Sequence, residues 1–420
     1  MRTKFASAPF WACRRVPVTP LWAGRATALL GILILALSLR SAVSAISPIV
    51  AEISADIPLS SVGLGFLGAL PPVFFALAGI IAPPIAKRLG LELTIGLAVV
   101  AIVAGHLIRA SSSSYAVLAL GSAVSLAAMG IANVLLPPAV KRYFPDRIGG
   151  ITAAYVTIMS VSTALPAFGA APIAEAYGWR ASLGVWALTA AVAAVPWALL
   201  VAGHRRARSD QAPELVEAPP ALVGRIWHSR TAWAIAITFS VTSLNAYAMF
   251  AWLPEILVQT VGVTNIQAGA LLGLYSFIAV PGSIIAPILV TRLRHPGWVI
   301  QAGVLFFLVG YAGLLLIPGT ATWLWVALIG MGPVLFPVCL TLVNLRTRSQ
   351  QASAALSGFV QAVGYTLGAL GPLLVGVLHD VTQGWTVPML FLVAVAVVGI
   401  PLGVILSKPR YIEQDLDVRP

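Results

Sequence analysis

One arginine stands in the middle of a long apolar run. Arg40 follows Arg25 by 15 residues and precedes Glu52 by 12. At about 1.5 Å per helical residue, that spacing predicts a guanidinium near the centre of a bilayer. A lone charge there costs about 2.5–3.5 kcal/mol on insertion scales, and it lies too deep to snorkel easily. The planar guanidinium fork suits a small oxyanion or a pseudohalide facing a central cavity. The competing reading is an arginine that packs between helices and bonds backbone carbonyls. No carboxylate is expected at the same depth. Glu52 and Glu255 fall at predicted outer helix ends, and Asp56, Glu175 and Asp380 in outer connections. An unpaired buried cation invites an anionic partner.

Neutral polar residues supply further candidates. Asn245 lies 15 residues after Arg230, as Arg40 lies 15 after Arg25, so the two predict polar groups at similar depth. Tyr247 is two residues on, about 200° further round a helix, so it and Asn245 do not share a face. Gln361 corresponds to Thr157 at an offset of 204, and Tyr365 is one turn beyond Gln361 on the same face. Asn133, Tyr155 and Tyr275 complete the substrate-binding candidates. Each could instead simply bond a neighbouring helix, for a modest ~0.6 kcal/mol on average. Trp252, next to Leu253 and Pro254, reads as an interface or gate residue, and His106 as a weaker candidate for carrying a proton.

The elements that must position these groups are membrane helices. Of 420 residues, 59% are hydrophobic and only 9% charged, against about a quarter charged in soluble domains. Apolar runs near 20 residues recur along the chain, matching a hydrocarbon core of about 30 Å. Twelve spans are predicted, at roughly 26–50, 63–84, 91–109, 115–140, 149–172, 181–202, 231–256, 267–290, 298–317, 321–345, 353–378 and 385–407. The Gly and Pro residues inside them are tolerated where neighbouring helices re-satisfy the backbone.

The net charge of +12 does not indicate nucleic acid, because its distribution is that of a membrane protein. Of 25 Lys and Arg, 22 fall in the N-terminal tail, alternate connections, the central linker and the C-terminal tail. The outer connections hold only Arg109 and Arg180. This positive-inside bias places both termini in the cytoplasm. Cys13 and Cys339 provide no disulfide framework.

The fold class read from this pattern is an all-α polytopic membrane protein with two six-helix bundles. The predicted organisation is a tail at 1–25, a bundle at 26–202, a polar linker at 203–230, a second bundle at 231–407 and a tail at 408–420. The bundles repeat each other. GIIAPPIAKRL at 79–89 matches SIIAPILVTRL at 283–293, and MGIANVLLP at 129–137 matches IGMGPVLFP at 329–337. Parallel halves related by an axis along the membrane normal place a site near the midplane between them.

Two such halves joined by a basic linker resemble the major facilitator superfamily. That family's loop between spans two and three reads roughly G-x-L-A-D-R-x-G-R-K. Here Pro83-Pro84-Ile85-Ala86-Lys87-Arg88-Leu89-Gly90-Leu91-Glu92 keeps Arg88 and Gly90 but places Lys87 at the acidic position. SLRSAVSAISPIV (38–50), GIANVLLPPAVKRYFPDR (130–147), YAMFAWLPEIL (247–257) and FVQAVGYTLGALGPLLVGVLHD (359–380) resemble the cyanate permease group, which includes 2-nitroimidazole transporters. The resemblance implies a secondary transporter, a monomer by default, in the cytoplasmic membrane.

The substrate expected from Arg40 is a small anion such as cyanate. The alternative is a neutral aromatic such as a nitroimidazole, and a passive channel is a remote third. No HExxH, paired-Asp or G-x-S-x-G element stands in a span, and no GxxxxGK[ST] is present, so enzyme and ATP-driven pump are not expected. No cofactor or metal is implied. The partners are a small-molecule substrate, the lipid bilayer and, left open, a coupling ion.

Overall fold

The computed structural model describes residues 25–144, 146–206, 225–348 and 350–417. The tail before Arg25, most of the linker and the last three residues lie outside the described residues. Among the described residues, twelve helices are long and apolar enough to cross a membrane. The first half holds α1 (Ala26–Ser44), α2 (Ser61–Leu89), α3 (Leu91–Ala110), α4 (Tyr115–Val140), α5 (Gly150–Tyr177) and α6 (Trp179–Ala202). The second holds α7 (Arg230–Val261), α8 (Asn265–Arg292), α9 (Gly297–Leu316), α10 (Thr322–Leu345), α11 (Ala355–Thr382) and α12 (Thr386–Leu406). All twelve expected spans are present. The repeat holds in register too: Arg88 and Arg292, 204 residues apart, both sit in the last turn, of α2 and α8 respectively.

Local chemistry sets the helix ends. Ser60, Ser114 and Ser229 each accept a hydrogen bond from the backbone N–H three residues on, and Thr264 forms a full capping box with Gln267. The α2–α3 and α5–α6 connections turn on single glycines, Gly90 and Gly178, at φ 89° and 84°. Prolines interrupt many spans, including Pro71, Pro72, Pro83 and Pro84 in α2 alone.

One helix departs from expectation. The sequence predicts an unbroken span over 26–50. The α-helix instead stops at Ser38, turns at Leu39 and Arg40, resumes for Ser41–Ser44, and continues through a 3-10 turn at Ser47–Ile49. Serines at 38, 41, 44 and 47 explain the break, because each is buried and bonds outside a regular ladder. Ser41 donates to the Ser38 carbonyl, Ser44 to the Thr163 carbonyl at 2.6 Å, and Ser47 to the Phe250 carbonyl at 2.7 Å.

The halves are sealed on the side away from the termini, here termed distal. Seams form between α2 and α11 and between α5 and α8. A Cβ on Gly65 would lie 2.8 Å from the Pro372 carbonyl, and one on Gly269 2.8 Å from the Ala167 carbonyl. Asn265 also donates to Glu52 across this side. Trp252 lies in the α2–α11 seam region, fully buried, with its indole N–H on the Pro372 carbonyl. At the terminus side, the ends of α2 and α8 present exposed Leu89 and Leu293.

Each half is braced separately near the termini. Arg25 pairs with Asp146 at 2.6 Å, and Arg142 with Glu92 at 3.2 Å. The Arg25 hydrogen bond holds the Asp146 carboxyl below its usual range. In the second half a short C-terminal helix, Ile412–Asp417, packs back onto α7. Asp415 accepts from the Thr231 backbone N–H and the Ser229 hydroxyl, both at 2.9 Å. A carboxylate at that helix start satisfies orphan donors and complements the dipole.

Candidate functional site

The break in α1 places Arg40 at the interface of the two halves. Its backbone N–H donates to Ser162 of α5 at 3.1 Å, which anchors the turn. Its guanidinium is half-buried and reaches the Tyr247 hydroxyl of α7 at 3.4 Å. It also interacts with the Tyr365 hydroxyl of α11. The guanidinium lies over the Phe75 ring of α2, 4.7 Å from its centroid. So α1, α2, α7 and α11 all contribute to one cluster.

Aromatic rings extend the cluster. Tyr365 stands edge-on to Phe239, with centroids 5.2 Å apart, and also meets Phe75 and Tyr247, each at 6.4 Å. Tyr247 approaches Phe250, whose ring meets Tyr275 edge-on at 5.4 Å. The arrangement offers a cation, two hydroxyls and ring faces and edges. No carboxylate bonds or pairs with Arg40 among the described residues. Such a site can hold a negative charge against the guanidinium and a flat group against the rings.

The sequence candidates divide into three groups. Arg40, Tyr247 and Tyr365 come together in the cluster. Gln361 is one turn from Tyr365, half-buried, and donates to Ser357 at 2.8 Å. Tyr275 is 1% exposed and joins the cluster only through Phe250, and its hydroxyl finds no partner. Asn133 is half-buried in α4, and Tyr155 is buried in α5. Neither belongs to the rings around Arg40.

Asn245 is placed differently from its counterpart by spacing. It is fully buried, accepts from the Tyr311 hydroxyl of α9 at 2.8 Å and donates to the Val241 carbonyl. It braces the second half internally, while Tyr247 turns to Arg40. The expectation that the two residues occupy different faces holds, and the face toward Arg40 is Tyr247's. Arg109 also departs from expectation. It belongs to the last turn of α3 and is fully buried, not in a connection. Glu175 and Asp380 likewise lie within the last turns of their helices.

Phe75, Phe250 and Ser162 were not singled out from sequence. Ring contacts between distant spans leave no local signature. The serine spacing 38, 41, 44, 47 was a readable signal for the broken helix.

Comparison with known proteins agrees with this architecture. The Major Facilitator Superfamily profile matches residues 29–369. The chain is 33% identical to an uncharacterised transporter, YycB, of Bacillus subtilis, over 91% of this chain and 94% of that one. It is 32% identical to the 2-nitroimidazole transporter of Escherichia coli, covering 86% and 90%. The cyanate transport protein CynX of the same organism is 22% identical, covering 89% and 94%. Among solved structures, a bacterial homologue of the lysosomal transporter Spinster, inward-facing and occupied, superposes with a TM-score of 0.75 at 14% identity, covering 94% of this chain and 99% of that one. These relatives are transporters, not enzymes. With twelve spans, a profile match over most of its length and full-length relatives, this chain belongs to the major facilitator superfamily.

Proposed function

We propose that the protein is a secondary transporter that carries a small anion, such as cyanate, bound to Arg40. The observation that carries this reading is the guanidinium between Tyr247, Tyr365 and Phe75, with no carboxylate on it among the described residues. A substrate that supplies the missing negative charge relieves the cost of a partly buried unpaired cation. Charge-assisted hydrogen bonds to guanidinium are about twice as strong as neutral ones. The distal seams are closed in this structure. Transport follows if they part while the terminus side closes, which is alternating access about a fixed site. The charge bias of the connections supports a cytoplasmic terminus side and a place in the inner membrane. A monomer suffices, since one chain supplies both halves of the site.

A second reading rests on the rings. Phe75, Tyr247, Tyr365 and Phe250 suit a neutral nitroaromatic, with Arg40 bonding its nitro group. The 32% relative that transports 2-nitroimidazole favours this class.

A thermal-shift screen separates the two. Purified protein and its Arg40→Gln variant are exposed to cyanate, thiocyanate, nitrate, formate, short carboxylates and nitroimidazoles. A ligand at a hundredfold excess over Kd stabilises by about 2.7 kcal/mol. An anion that protects the wild type but not the variant supports the first reading. Protection by neutral aromatics alone moves the assignment to the second. An equal response in both proteins removes Arg40 from the site.

A further inference from the structure

A second cation is buried in the first half, away from the central cluster. Arg109 has 0% of its surface exposed, and none of its three guanidinium nitrogens has a hydrogen-bond partner. An arginine does not deprotonate in proteins, so its charge stays. Leaving it uncompensated costs several kcal/mol. Three carboxylates stand at this end, and none of them pairs with Arg109 among the described residues: Glu52 accepts from Asn265, and Glu175 is exposed. Asp56 accepts from Arg180 at 2.6 Å and from the Trp179 indole at 3.0 Å. Zero exposure also keeps a lipid headgroup from reaching Arg109.

The surroundings are built rather than accidental. The Arg109 stem lies against Gly121 of α4, where a Cβ would fall 2.9 Å from the arginine Cγ. One turn back on α3, His106 is also fully buried. Its Nε2 lies 3.2 Å from the Ser41 hydroxyl, and its Nδ1 has no partner. Because Ser41 donates to the Ser38 carbonyl, its oxygen accepts from Nε2–H. In that tautomer Nδ1 carries a lone pair, so the free donors here are the guanidinium N–H groups of Arg109.

We propose that Arg109 holds a buried halide-sized anion inside the first bundle, distinct from the transported substrate. A chloride fits the chemistry: it carries one charge, needs no fixed geometry and accepts from several N–H groups at once.

The test uses the full chain purified in detergent. Unfolding is followed in sodium chloride and in sodium gluconate at equal ionic strength, with no transport substrate. The expected result is a Tm that rises and saturates with chloride or bromide but not with gluconate. Arg109→Gln should lose that rise, and Arg40→Gln should keep it. Since Arg109→Gln could fail to fold, crystals of the wild type soaked in bromide give an independent reading. Anomalous density beside the Arg109 guanidinium supports the site. No halide response, a response abolished by Arg40→Gln alone, or bromide only at Arg40 would overturn it and leave water as the filler.

Discussion

The first and seventh helices occupy equivalent places in the two halves, yet they are built in opposite ways. The first breaks at Leu39 and Arg40, and the break carries the cluster's cation. The seventh runs unbroken from Arg230 to Val261, with 83% of its most apolar stretch buried. At the matching depth the first presents a half-buried guanidinium, and the seventh a fully buried amide locked to Tyr311. Duplication has therefore kept the scaffold and divided the labour. One copy supplies charge from an irregular turn, and the other a straight post with a tyrosine hydroxyl. Irregular backbone at membrane depth is tolerated because it is enclosed by protein, here by Ser162 and Thr163 of α5.

The strongest way to break this contrast is to exchange the roles. Arg40→Gln should lower kcat/KM for the transported anion about 10- to 100-fold, the effect of losing a charged hydrogen bond. Its Tm should not fall, because an unpaired cation is removed. Uptake by reconstituted vesicles measures the first, and thermal unfolding the second. If Asn245→Ala costs transport as much as Arg40→Gln, the two helices are not divided as described.

Asn245→Ala should act on stability instead. It strands the buried Tyr311 hydroxyl, at a cost of about 1–3 kcal/mol. Tm should drop while KM per folded molecule stays within twofold. Adding Tyr311→Phe should recover part of that loss, since both partners are then gone.

Tyr247→Phe and Tyr365→Phe sharpen the seventh helix's share. Each removes one hydroxyl facing Arg40, worth about 1 kcal/mol, so KM should rise roughly fivefold with kcat little changed. An unaltered KM in both would take the hydroxyls out of substrate binding.

The smallest effect concerns how the two helices begin. Asp146 holds Arg25 before α1, and Asp415 caps α7. For Asp415, burial favours the neutral form, but the hydrogen bonds from Thr231 and Ser229 outweigh it and hold the carboxyl below its usual value. A depressed carboxylate stabilises fully above its unfolded pKa, about 3.9, and the contribution fades as pH falls through the folded value. Tm should therefore decline below about pH 4. Asp415→Asn should be less stable at neutral pH, by about 1 kcal/mol, and show a flatter decline.

Depth was legible in the sequence, and facing was not. Arg40 stands beside mid-helix Phe75 and Tyr247, and every span was found by hydropathy and charge spacing, because a bilayer sorts residues by depth. They could not tell Tyr247 from Asn245, since a helix buried on nearly all sides has no polar face to betray its orientation. The broken α1 was written in Ser38, Ser41, Ser44 and Ser47, but small hydroxyls also occur in regular membrane helices. Arg109 was misplaced for a related reason. One residue at a span's edge can end in water or fold inward, and only the packing on Gly121 decides which.

The docked tail has a consequence for the order of events during synthesis. Donors at the start of α7 wait for Asp415, and the Arg346 carbonyl after α10 waits for the Ile412 N–H. Both acceptor and donor come from a segment made after all twelve spans. The second half can thread into the membrane helix by helix, but it closes only once the segment beyond α12 has followed. A chain cut short just past α12 would have all its spans and still be unfinished.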